Sequence, residues 1–107
     1  MDIEIIGTIA SQLGIQPKQV EAVLTLLEEG STVPFIARYR KERTGNLDEE
    51  QIRVIEEQYT YRQNVEKRKE EVLHRIETVG SLTPEIKASV MACTKLTEIE
   101  EIYRPYK

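Results

Sequence analysis

The sequence predicts an all-α domain. Three observations carry that expectation. Apolar residues recur at helical spacing along the whole chain, capping and breaking residues punctuate them at helix-length intervals, and no segment sustains the period-two alternation of a half-buried strand. At 107 residues, 39% hydrophobic and 32% charged, the chain is one modest domain with a core and a heavily solvated surface.

The first helix is expected over Asp2 to Leu13, with Ile3, Ile6, Ile9, Ala10 and Leu13 on one face and Gly14 as its stop. Pro17 suits the first turn of the next helix, whose apolar face is Val20, Val23, Leu24 and Leu27. Gly30 stands where a left-handed cap is expected. After the turn Ser31–Val33, Pro34 opens about two helical turns carrying Phe35, Ile36 and Tyr39. Thr44, Gly45 and Asn46 read as a loop.

Asp48 and Gln51 form a capping box, stapled by Leu47 and Ile52. From there to Val79 neither Gly nor Pro interrupts, so one helix is expected over about 48–79. At 1.5 Å per residue it is roughly 48 Å long, against a radius of gyration of about 13 Å for a compact 100-residue domain, so an elongated domain is expected. Its apolar stripe changes face midway. Ile52, Ile55 and Tyr59 share one direction, while Val65, Val72, Ile76 and Val79 share another, rotated by roughly 110°. The expected architecture is a helix–turn–helix-like N-terminal lobe of about residues 1–60 and a second small lobe of about 61–107, both on this spine. The polar middle offers the pairs Glu49–Arg53, Arg62–Glu66, Lys67–Glu71 and Glu71–Arg75. Gly80 ends the spine, Thr83 and Pro84 restart a helix with Ile86, Val90, Met91 and Cys93, and Thr97 with Glu100 suggests a last capping box before Ile99, Ile102 and Tyr103.

Several functions find no residues to carry them. His74 is the sole histidine and Cys93 the sole cysteine, 19 residues apart on different expected helices, so a nucleophile–base pair would arise only by tertiary accident. There is no Gly-rich phosphate loop, no cysteine pair for zinc and no His-Glu helix signature, so no enzyme activity, cofactor or metal is expected. The acidic neighbours Glu49/Glu50 and Glu56/Glu57 do not face each other on a helix. An acidic start without an apolar run is not a signal peptide, and no stretch approaches the roughly 20 apolar residues of a membrane span. A single unpaired cysteine fits a reducing compartment, so a cytoplasmic setting is expected.

One segment stands out. Arg38, Arg40, Lys41 and Arg43 set four positive charges against Glu42 in a chain of net charge −4. They follow a helix, a Gly30-centred turn and a short second helix, the order in which DNA-binding modules present a basic helix. The functional reading is phosphate contact by guanidinium groups; the competing reading is a clamp in which these cations pair with acids of the spine. Tyr59, Tyr61, Tyr103 and Tyr106 are candidates for base stacking, or else pack with their hydroxyls at the rim.

The stretch Thr32 to Asp48, TVPFIARYRKERTGNLD, resembles the signature of the N-terminal domain of the bacterial transcription accessory protein family Tex. Pro17, the Leu-Leu-Glu-Glu-Gly turn ending at Gly30, the Leu82-Thr83-Pro84 restart and the close from Glu101 to Lys107 extend the resemblance over the whole chain. It implies a cytoplasmic protein of transcription and RNA metabolism, in which a ribonuclease-H-like domain, helix–hairpin–helix elements and a C-terminal OB-fold RNA-binding domain follow this region. The resemblance supplies no catalytic residue. On this reading the chain is the N-terminal part of a larger protein, cut after Lys107, and it acts mainly as an interdomain scaffold for the downstream domains. It is expected to bare an apolar patch near Tyr103 and Tyr106 that those domains cover. The alternative is direct, weak and non-specific contact with DNA or RNA through residues 38–43. No membrane partner is expected, and the sequence leaves the oligomeric state open.

Overall fold

The structure, a computed structural model, describes residues 2–107 and is all-α: among the described residues there are seven α-helices, a closing 3-10 turn and no strand. The chain divides into two compact units, Met1–Thr60 and Tyr61–Lys107.

The first unit contains α1 (Ile3–Leu13), α2 (Pro17–Glu28), α3 (Val33–Tyr39), α4 (Lys41–Thr44) and the start of α5 (Glu49–Thr78). Four of these five starts are capped by a side chain. The Asp2 carboxylate accepts the Ile5 N–H at 3.1 Å, and Gln19 Oε1 accepts the Gln16 N–H at 2.9 Å, with Pro17 in the first turn. Thr32 Oγ1 accepts the Phe35 N–H at 3.3 Å. The expected capping box at α5 is formed in both directions, Gln51 N–H to Asp48 Oδ1 at 2.8 Å and Asp48 N–H to Gln51 Oε1 at 2.9 Å. The core of this unit joins Ile5, Ile6, Ile9 and Ala10 to Val20, Val23, Leu24 and Leu26, then to Val33, Ile36, Leu47, Ile52 and Ile55.

The second unit takes the rest of α5 with α6 (Pro84–Met91), α7 (Leu96–Tyr103) and the 3-10 turn Arg104–Tyr106. Val65, Val72 and Ile76 pack with Val90, Cys93, Ile99 and Tyr103. α5 is unbroken over its 30 residues, and its buried positions follow the two stripes read from the sequence.

Some details differ from the expectation. Ile3 and Val79 are exposed; each lies at or past a helix end, where the core face has run out. Leu26 rather than Leu27 is fully buried on α2. Thr44 is not loop: it closes α4, is fully buried, and its hydroxyl accepts the Leu47 N–H at 3.3 Å. The left-handed residues are Gly45 and Asn46 after it, at φ of 69° and 66°. The Thr97–Glu100 capping box is not formed. α7 starts earlier because Glu98 Oε1 accepts the N–H groups of Thr94 and Lys95 at 2.9 and 3.1 Å, while Glu100 is bound to Arg68. Of the four expected pairs on α5, only Glu49–Arg53 forms, at 3.6 Å. Arg68 binds Glu71 and Glu100, and Lys69 binds Glu66, because Arg68 and Lys69 lie on the side of the helix that packs within the second unit.

Candidate nucleic-acid interface

α3 has a dry face and a wet face. At about 100° per residue, Val33, Ile36 and Ala37 point one way and Phe35, Arg38 and Tyr39 point the other. Val33 and Ile36 are buried and Ala37 packs against the same core, so Phe35 is left 37% exposed and Tyr39 54% exposed. Their ring centroids lie 5.2 Å apart at an interplanar angle of 49°.

The cations of this segment meet those rings rather than acids. The guanidinium carbon of Arg40 lies 4.8 Å from the Phe35 centroid, and that of Arg38 lies 5.5 Å from the Tyr39 centroid. Arg40 is at the junction of α3 and α4, where φ −128° and ψ 33° break the helix, and its Nη1 donates to the Tyr39 carbonyl at 2.9 Å. Among the described residues none of Arg38, Arg40, Lys41 and Arg43 makes an ion pair, although Arg53, Arg68, Lys69, Arg104 and Lys107 each do. The clamp between this cluster and spine acids is therefore not formed.

Besides the burial of Thr44, one side chain ties α4 to α2. Gln19 Nε2 donates to the Thr44 carbonyl at 2.9 Å while Gln19 Oε1 holds the start of α2. A Cβ on Gly45 would stand 2.6 Å from Gln19 Nε2, so the glycine allows both its left-handed turn and this close approach. Arg43 lines an open depression there with Lys18, Gln16, Gln19, Glu42 and Gly45. The predicted cluster thus separates into Arg38 and Arg40 at the rings, Arg43 beside Lys18, and Lys41 on exposed α4.

The other candidates are occupied otherwise. The Tyr59 hydroxyl accepts the Asp2 N–H at 3.2 Å, that of Tyr61 accepts the Leu96 N–H at 3.1 Å, and that of buried Tyr103 accepts from Arg75 at 3.4 Å. Tyr103 is buried and Tyr106 is partly buried against the second core, so neither ring stands bare as expected. Cys93 is buried, its thiol donates to the Ser89 carbonyl at 3.3 Å, and burial pushes its pKa up, opposite to what a nucleophile needs. His74 is exposed. Among the described residues no cluster of His, Cys, Asp and Glu could hold a metal, and no helix is long and apolar enough to cross a membrane.

Fold and surface together define a small helical module with a helix–turn–helix-like pair, α2 and α3. The chain belongs to the Tex-like family: the family model described as "Tex-like protein N-terminal domain" matches residues 3–77. It is 52% identical over 99 residues to "Uncharacterized protein YdcI" of Bacillus subtilis (strain 168), covering 92% of this chain and 14% of that protein. It is 42% identical over 99 residues to "Transcriptional accessory protein Tex" of Neisseria gonorrhoeae, covering 92% and 13%. A more distant relative is "S1 RNA-binding domain-containing protein 1" of Homo sapiens, 25% identical over 107 residues, covering 100% and 11%. The chain therefore spans only about one-seventh to one-ninth of the length of these relatives, which carry further domains.

Proposed function

We propose that this chain is the N-terminal module through which a cytoplasmic, Tex-like transcription accessory protein touches nucleic acid weakly and without sequence readout, by phosphate contacts of Arg38, Arg40, Lys41 and Arg43, and that it contributes no catalytic group. The observation that carries this is the missing clamp: four cations within six residues, none paired to an acid. With Glu42 included the segment carries +3 against −7 for the remainder, so this patch is a local positive field on an acidic chain. α3 contains no Asn or Gln to read base edges. The competing reading, an interdomain scaffold, calls for a bare apolar surface, and Tyr103 is buried and Tyr106 partly buried. The relatives named for transcription and for RNA binding agree with a nucleic-acid setting for the whole protein.

The test is a salt titration of duplex binding by the wild type and by a variant with all four residues changed to Ala. Four contacts at about 0.9 per neutralised phosphate set an upper bound of roughly 3.6 on the slope of log K against log salt. A slope within that bound that disappears in the variant supports the reading. Equal binding by both proteins places the site elsewhere.

A further inference from the structure

We infer that Phe35 and Tyr39, with Arg40 and Arg38 laid on their rings, form a stacking platform for unpaired bases, so that the preferred ligand of this surface is single-stranded nucleic acid. The inference rests on the phosphate-contact reading for its charge but on separate observations for its specificity.

The first observation is burial. α3 has a core face, yet its two largest side chains stand on the opposite one, in water. Helical spacing decides this, since placing Phe35 in the core would bring Val33 and Ile36 out. The second is contrast with the other tyrosines: Tyr59, Tyr61 and Tyr103 each use the hydroxyl in an internal hydrogen bond and Tyr106 packs on the second core, while Tyr39 does neither among the described residues. The third is shape. Rings 5.2 Å apart and tilted by 49° pack against each other, and the guanidinium groups at 4.8 and 5.5 Å from the centroids extend them into one exposed surface of planar groups. Bases in unpaired strands stack on aromatic rings and on arginine planes alike, and the same guanidinium edges can donate to the adjoining phosphates. The fourth is length. α3 has seven residues, about 10 Å, and shows a groove little but rings, methylenes and two guanidinium groups. A duplex hides the faces that those rings could use and shows them phosphates alone. Stacking reads no hydrogen-bond pattern, so little preference among bases is expected, and nothing here selects for a 2′-hydroxyl. An acidic peptide would satisfy the charge and leave the rings unused.

The test uses the 107-residue chain with fluorescein-labelled strands of about sixteen nucleotides: oligo(U), oligo(dT), an abasic strand of equal length and a duplex. Anisotropy is expected to show oligo(U) and oligo(dT) bound several-fold more tightly than the abasic strand and the duplex. Phe35→Ala/Tyr39→Ala should weaken binding of the base-bearing strands about tenfold, leave the abasic strand unchanged, and keep the salt slope, because the cations remain. Both residues are exposed, and far-UV circular dichroism checks that the helices persist. The chain has no tryptophan, so Phe35→Trp supplies a sole reporter that keeps the platform. Its emission should be quenched by oligo(dT) and not by the abasic strand. Equal binding of base-bearing and abasic strands, unchanged by the aromatic substitutions but lost with the four cations, overturns the platform and leaves the phosphate reading standing. Binding of a poly-glutamate peptide as tight as that of oligo(dT) overturns the platform in favour of an acidic protein partner. No binding of any strand overturns both.

Discussion

The first unit buries thirteen apolar side chains in its core and, among the described residues, makes one ion pair, the exposed contact of Glu49 with Arg53 at 3.6 Å. The second buries seven and ties its helices with charge. Arg68 reaches Glu100 on α7 and Glu71 on its own helix, Lys69 Nζ donates to the Met91 carbonyl at 2.8 Å and to Glu66 at 3.1 Å, and Arg75 donates to the Tyr103 hydroxyl. In the smaller unit Arg68, Lys69 and Arg75 tie side chains together; in the larger one the cations of residues 38–43 form no ion pair among the described residues. A charge run by itself therefore says little about function. What separates Arg68 and Lys69 from the 38–43 cluster is pairing with acids and not contact with a ring, since Arg68 also lies 5.4 Å from the Tyr103 centroid and Arg40 also donates to the Tyr39 carbonyl.

The comparison breaks most visibly at the cores. Ile76→Ala empties a fully buried site in the smaller core and should cost about 2–5 kcal/mol. Hydrogen exchange should show the loss in the amides of α6 and α7, with those of α1 to α4 still protected. Equal loss of protection in both sets would mean that the two cores are not separate cooperative units.

Next in size is the distinction between tied and untied cations. Lys69 is 5% exposed, and its Nζ donates to the Met91 carbonyl at 2.8 Å. Lys69→Ala leaves the Met91 carbonyl without its partner and should lower stability by about 1–3 kcal/mol. Each of Arg38→Ala, Lys41→Ala and Arg43→Ala should stay within about 0.5 kcal/mol of wild type, as exposed positions without partners do. Urea unfolding with an unchanged m-value measures both. A large cost at Arg38 or Arg43 would show a structural tie at that position.

Much of this fold is legible in the sequence because its signals are local. The Asp48–Gln51 box, the breakers at Gly14 and Gly80 and the change of stripe on α5 each follow from spacing within one helix. The misread features depend on tertiary partners. Glu100 looks like a capping residue until Arg68, 32 positions away, supplies a stronger bond. Thr44 looks like loop until the Gln19 side chain turns out to hold its carbonyl. At the candidate site the four cations are readable as a run, whereas Phe35 and Tyr39 pass for core because aromatic residues on a short helix usually are. The signal that exposes them is the phase of α3. Once Val33, Ile36 and Ala37 are assigned to the core, Phe35 and Tyr39 lie on the far side.

The smallest expected effect concerns the ion pair that gives the second unit its character. Arg68 donates to Glu100 through Nε at 2.7 Å and Nη2 at 3.3 Å, a two-pronged contact that holds the Glu100 carboxyl below the usual carboxylate range against the opposing effect of its partial burial. The charges of Arg68, Lys107 and Arg75 act in the same direction. Because the folded pKa is lowered, the folded state holds this proton less tightly than the unfolded chain does. The contribution is fully present above the unfolded value of about 4.3 and is lost as pH falls through the folded value. The Glu100 side chain is 38% exposed, so solvent screening limits the effect to about 1 kcal/mol or less. Glu100→Gln should therefore melt slightly below wild type at pH 7 and at pH 5. The two melting curves should converge as pH is lowered below about 4, because wild type then also carries a neutral side chain at this position. Added salt should narrow the gap at pH 7 as well, since the pair is partly open to solvent. A gap that persists at pH 2 would assign the loss to packing or to the changed hydrogen-bond geometry of the amide. The second unit would then owe less to charge than its ion pairs suggest, and the contrast with the first unit would rest mainly on Lys69 and on Arg75 at the Tyr103 hydroxyl.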